Sequence, residues 1–176
     1  SDYTESIPAP VITSSLTASG KVGTSLSYNV TASNTPSSYS ATGLPTGLSI
    51  NATTGLISGT PTEAGNFDVT IGATNAAGTD AKTLVINIAK GDQTITFASL
   101  SDKLDSVGTF TLSATSNSGL DITYTSSNTS VLTIAGNVAT VLAPGTTTIT
   151  ASQAGDDNYN AATSVSQDQK IVDSTI

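Results

Sequence analysis

The chain has 176 residues and a formal net charge of −8, with 5 basic residues against 13 acidic ones and no His, Cys, Met or Trp. Without His or Cys there is no histidine general base, no Ser-His-Asp triad, no thiolate nucleophile, no disulfide and no zinc site built on those ligands. Every basic residue is Lys, so no bidentate arginine clamp for phosphate exists, and the acidic balance repels nucleic acid and anionic membranes. The length fits one large or two small domains.

Charged residues make up only 10% of the chain, against roughly 25% in an ordinary soluble domain. Ser and Thr together supply about a third of it, so hydroxyls provide the polar surface. A Thr-rich chain nearly devoid of Glu and Arg disfavours helices and favours strands. No apolar run approaches the ~18 residues of a membrane span, and any signal peptide is expected outside this segment.

The first half alternates with period two. Leu26, Tyr28, Val30 and Ala32 form one apolar stripe, Phe67, Val69, Ile71 and Ala73 a second, and Leu84, Ile86 and Ile88 a third. Each is one face of an expected antiparallel sheet that packs on a core. Turn clusters fall at 42–47, 53–55, 60–65 and 75–78. Strands at this spacing predict a sandwich or barrel.

The second half repeats the style without repeating the sequence. Ile95 and Phe97 open it, followed by Phe110, Leu112 and Ala114, then Ile122 and Tyr124. Strands are expected over 138–142, 148–151 and 165–172, with "SDKLD" as a polar loop joining the first two strands. The break at Lys90, Gly91 and Asp92 divides the chain into domains 1–89 and 90–176, joined by two or three residues, too few for free tumbling. Five acids and two Lys give the first domain −3; eight acids and three Lys give the second −5.

The text from Gly43 to Pro61, "GLPTGLSINATTGLISGTP", continued by "TEAGNFDVTIGATNAAG", resembles the putative Ig domain, a cadherin-like module of bacterial surface proteins. The likeness spans most of residues 8–89. From Tyr124 to Ala162, "YTSSNTSVLTIAGNVATVLAPGTTTITASQAGDDNYNAA" is similar to bacterial Ig-like repeats, including group 2 modules. The resemblance implies an all-β chain of two tandem immunoglobulin-like antiparallel β-sandwiches. Such modules serve as spacers, adhesive tips and enzyme appendages alike, so the likeness specifies fold more than function.

Candidate sites are few. Asp156, Asp157 and Asn158 in "AGDDNYN" offer oxygen ligands for Ca²⁺, with a solvated acidic turn as the plainer reading. Cadherin-like relatives hold calcium at domain junctions, which points to Asp80 and Asp92, although Asn75 stands where an acid would be more persuasive. No "DxDxDG" loop is present, and no resident cofactor is expected. Asp102 and Asp105 could be cast as a glycosidase pair, but a domain under ninety residues has little material for a sugar cleft. No catalytic residue is assigned.

Most aromatic residues fall on inward stripes, leaving Tyr3 and Tyr159 as rings for sugar. Glu63, in the "TPTEAG" turn, is poorly placed for the Lys–Asn isopeptide bond found in some surface Ig-like domains. Sequons at Asn29, Asn51 and Asn128 matter only in a eukaryotic secretory pathway, and the family resemblance implies a bacterial source, in which they are incidental.

These residues lead to a non-catalytic spacer or adhesion module of a larger secreted or surface-anchored bacterial protein. The alternative is a carbohydrate-binding accessory module of a polysaccharide-degrading enzyme. The expected partners are neighbouring domains and a polysaccharide or cell-surface ligand, with no nucleic acid, no membrane insertion and a monomeric chain. The expected location is extracellular or at the cell surface.

Overall fold

A computed structural model describes residues 4–176. The chain forms two compact units, one ending at Gly91 and one running from Asp92 to Ile176.

The first unit holds β1 (Thr17–Lys21), β2 (Leu26–Asn29), β3 (Ser38–Thr42), β4 (Leu48–Ile50), β5 (Leu56–Gly59), β6 (Gly65–Asn75) and β7 (Gly78–Ala89). They form a four-stranded sheet, β1-β7-β6-β3, and a three-stranded sheet, β2-β5-β4. The three apolar stripes of the sequence face the space between them: Val30, Val69, Ile71, Leu84 and Ile86 are fully buried, together with Ile57 of β5. Each such side chain is worth about 1.5–3 kcal/mol of transfer free energy, which is why a period-two register is strongly specified here.

Tight turns make the first unit possible. Gly47 and Gly59 lie back to back with φ of 97° and 138°. A Cβ on Gly47 would overlap the Thr60 carbonyl, and one on Gly59 would overlap the Gly47 carbonyl. Both positions therefore need glycine for conformation and for space.

The second unit holds β8 (Ile95–Thr96), β9 (Lys103–Leu104), β10 (Thr109–Thr111), β11 (Thr115–Ser116), β12 (Thr123–Ser126), β13 (Leu132–Ala135), β14 (Val138–Val141), β15 (Gly145–Ser152) and β16 (Val165–Val172). Its sheets are β9-β16-β15-β12, β10-β14-β13 and the short pair β8-β11. Ile95, Phe97, Leu112, Leu132, Ile149 and Ile171 anchor its core. The Phe97 and Tyr124 rings meet edge-on, with centroids 5.9 Å apart.

Two features depart from the sequence reading. "SDKLD" contains β9, which pairs with β16, and leads into a 3-10 turn at Asp105–Val107, so it is not simply a polar loop. In addition, the sandwiches are not wholly antiparallel, because β1 pairs with β7, and β9 with β16, in parallel. The cause is a change of sheet. Ile12 bridges to Ala32, just past β2, before the chain crosses to β7 as β1; β8 likewise pairs with β11 before the chain crosses to β16 as β9. The first strand thus runs in the direction of the last, and the two are joined through the whole sandwich instead of by a hairpin.

Candidate functional site

The acidic candidates are used locally. Asp156 Oδ1 accepts the backbone N–H groups of Asn158 and Tyr159, both at 2.8 Å, the pattern of an Asx turn. Asp157 is exposed beside it. Asp92 Oδ1 accepts the Asn160 amide at 3.0 Å, which ties the start of the second unit to its β15–β16 loop. The structure therefore gathers Asp92, Asp156 and Asn158 at neighbouring turns of one unit. Asp80 is a correction. It sits near the start of β7, which then runs nine further residues to Ala89, about 30 Å at strand rise, so Asp80 is not beside the linker. Among the described residues, no group of three or more His, Cys, Asp or Glu is placed to hold a metal ion.

Asp80 belongs to a different cluster. Its Oδ2 accepts the Ile12 N–H at 2.8 Å. Asn75 Nδ2 donates to the carbonyls of Pro8 and Asn34, both at 2.8 Å, and Asn34 Nδ2 donates to Ala9 O at 2.8 Å. These bonds stitch the leading segment to the β2–β3 and β6–β7 loops. An ionised acid at position 75 could not donate to either carbonyl, which explains an amide where a calcium site would carry an acid. Asn34 and Thr35 adopt φ of 60° and 43°, a left-handed bend that only the surrounding bonds sustain.

Glu63 caps a turn. Its Oε1 accepts the backbone N–H and the hydroxyl of Thr46 at 3.1 and 2.9 Å, and these bonds hold its carboxyl below the ordinary glutamate range. Asp173 is lowered in the same way by the hydroxyl and N–H of Thr175. Asp105 Oδ1 accepts the Ser174 N–H at 3.0 Å, so one member of the supposed glycosidase pair fastens the final turn instead. Tyr159 is half-buried, and Tyr3 lies outside the described residues.

The feature not foreseen from sequence is an open cleft of 550 Å³ in the second unit, with Ala114, Ile122, Tyr124, Asp121 and Asn137 among its walls. It exists because the β13–β14 hairpin ends early, at Gly136–Asn137. Leu112 N–H still reaches the Asn137 carbonyl at 2.8 Å, but two residues on, Ala114 N–H finds the Tyr124 phenol oxygen at 2.7 Å in place of a strand. No periodicity in the sequence announces a missing turn of hairpin; the signal is the brevity of "AGN" beside the "NATTG" of the first unit.

Two sandwiches, each with a three-stranded sheet facing a four-stranded one and each with a parallel edge strand, define a tandem pair of immunoglobulin-like modules, cadherin-like in fold. Residues 9–89, within the first unit, match the family described as Putative Ig domain. No curated protein matches the chain.

Among solved structures, the chain is similar to a putative alpha-galactosidase/melibiase of Bacteroides fragilis NCTC 9343, with 32% identity over 47% of this chain and 18% of that chain, at a TM-score of 0.45. It is also similar to human protocadherin-24 EC1-2, with 14% identity over 94% of this chain and 99% of that one, at a TM-score of 0.45. A SusE-like surface located polysaccharide binding protein of Bacteroides thetaiotaomicron shares 15% identity over 93% of this chain and 34% of that one, at a TM-score of 0.39. No helix among the described residues is long and apolar enough to cross a membrane.

Proposed function

We propose that the chain is a non-catalytic spacer or adhesion module of a larger secreted or surface-anchored bacterial protein, working outside the cell. One observation carries this reading: the same sandwich wiring occurs twice in succession, and the first copy matches the family described as Putative Ig domain. Serial copies of a self-contained sandwich add length and present neighbouring domains, whatever those domains do. The chemistry agrees, since Asp80, Asn75, Glu63 and Asp105 are spent on backbone groups that hold loops in place. A hydroxyl-rich surface with few charges keeps its stability across salt conditions, because little of that stability rests on ion pairs.

The proposal includes a monomer that needs no resident cofactor. Melting in EDTA and in millimolar Ca²⁺ should therefore coincide. Tight calcium binding would raise a transition by ten degrees or more, at roughly 4–8 °C per kcal/mol, and would overturn the cofactor-free reading. Residues 1–176 should also bind no soluble oligosaccharide with a dissociation constant below about 100 µM, roughly −5.5 kcal/mol. Calorimetry that found such affinity would make the carbohydrate-binding accessory module the leading reading.

A further inference from the structure

We infer that the cleft of the second unit is a binding site for one uncharged sugar residue. This goes beyond the spacer reading and stands or falls separately from it.

The cleft's volume of 550 Å³ lies within the range of small-molecule sites, roughly 300–1,000 Å³. Its walls combine two kinds of surface. Half-buried Ala114, Ile122 and Tyr124 are apolar, while exposed Ser113, Asp121 and Asn137 are polar. A pyranose has the same division, with C–H groups on its faces and hydroxyls around its rim.

The polar members are held by their backbones. The Asp121 carbonyl accepts Gln153 Nε2 at 2.7 Å, and the Asn137 carbonyl accepts the Leu112 N–H at 2.8 Å. Neither the Asp121 carboxylate nor the Asn137 amide is committed to a protein partner among the described residues. A carboxylate accepts two hydroxyl protons, and an amide both donates and accepts, so together they match the vicinal diol of a sugar. Tyr124 adds a phenol whose oxygen is already fixed at 2.7 Å from the Ala114 N–H.

Charge selects the class. No Lys lines the cleft and Asp121 does, so a uronate or sulfated sugar would meet repulsion without compensation. The first unit lacks the site because its longer β4–β5 turn fills the same place. There the Ala52 carbonyl accepts the Tyr39 N–H at 2.8 Å, and Gly55 packs so closely on the Tyr39 ring that a Cβ would lie 3.1 Å from it.

The test is an amide NMR titration of the whole 176-residue chain with methyl glycosides of glucose, galactose and mannose. At least one should give saturable shifts at residues 112–115, 121–124 and 136–137, with a dissociation constant of about 1–10 mM. Asp121→Asn and Asn137→Ala, both exposed, should each weaken it about fivefold or more while leaving the remaining spectrum unchanged.

Four results would overturn the inference. They are no saturable shift with any glycoside, affinity unchanged in both variants, equal shifts from cyclohexanol, and equal or tighter binding of glucuronate. Millimolar affinity leaves the spacer reading intact, and affinity below about 100 µM defeats that reading while supporting this one.

Discussion

The two units share one wiring diagram and hold it together by different means. In the first, the three-stranded sheet is pinned by glycines in close contact, Gly47 against Gly59 and Gly55 against Tyr39. In the second, Gly108 and Gly136 flank the three-stranded sheet in open turns where an added Cβ would touch nothing; its close glycines, Gly145 against Val131 and Gly155 against the Tyr159–Asn160 backbone, lie elsewhere, and buried amide side chains tie down its leading segment. Buried Gln93 gives Nε2 to the Asn160 carbonyl at 2.9 Å while its Oε1 accepts hydroxyls from Ser116 and Ser118. Buried Gln169 gives Nε2 to the carbonyls of Ser101 and Lys170 at 2.9 and 3.0 Å. Topology thus sets which strands meet, while local packing decides whether steric fit or hydrogen bonding resists opening.

The largest test of that contrast is at glycine. Gly59→Ala places a methyl against the Gly47 backbone at a φ of 138°, and neither can move without breaking the β4–β5 pairing. A loss of about 4 kcal/mol or more, or failure of the first unit to fold, is expected. Gly136→Ala in the second unit meets open space at a φ of 61° and should cost only about 1–2 kcal/mol. Hydrogen exchange read separately in each unit distinguishes the two. Equal losses would mean that the glycine pair is not the clamp of the first unit.

The next tests are at the amides. Gln169→Ala should remove about 2–3 kcal/mol from the second unit, because the Ser101 carbonyl loses its donor and a cavity opens where the fully buried side chain stood. Gln169→Leu should recover part of this, since Gln169 Oε1 has no partner of its own and leucine refills the volume. If Gln169→Ala melts like the parent chain, hydrogen bonding is not what distinguishes the second unit. Tyr124→Phe should cost less, about 1 kcal/mol, as water in the open cleft can replace the phenol at the Ala114 N–H.

How far the sequence reached follows from the same contrast. The strands that bury alternate residues were legible: β6, β7 and β16 lie where period two places them, and the loops at 42–47, 60–65 and 75–78 fall between strands. Such patterns are written by transfer free energy, which acts residue by residue. β1 and β9 were not legible, because edge strands of five and two residues take their register from a partner more than sixty residues away. The calcium candidates show the same limit. Asp80 and Asp92 look close to the linker in the text, but a twelve-residue strand carries Asp80 away from it. The cleft was hidden for a similar reason, since it depends on where one hairpin stops relative to a strand in the opposite sheet.

The smallest expected effect is electrostatic, and it asks whether the turns of the first unit are held by charge as well as by fit. Glu63 is half-buried, and the N–H and hydroxyl of Thr46 stabilise its ionised form, so its folded pKa lies below the ordinary glutamate value. A depressed carboxyl contributes stability that is fully present above the unfolded pKa and is lost as pH falls through the folded one. The melting difference between the parent chain and Glu63→Gln should therefore be constant from neutral pH down to about 5, then shrink as the carboxyl protonates. Solvent screening keeps the difference small. Asp173, lowered by Thr175, should give the second unit the same sign of dependence, so Asp173→Asn serves as the matched control. If the Glu63→Gln difference instead grew on acidification, the Thr46 bonds would not favour the carboxylate, and the 42–47 turn would be held by its glycines alone.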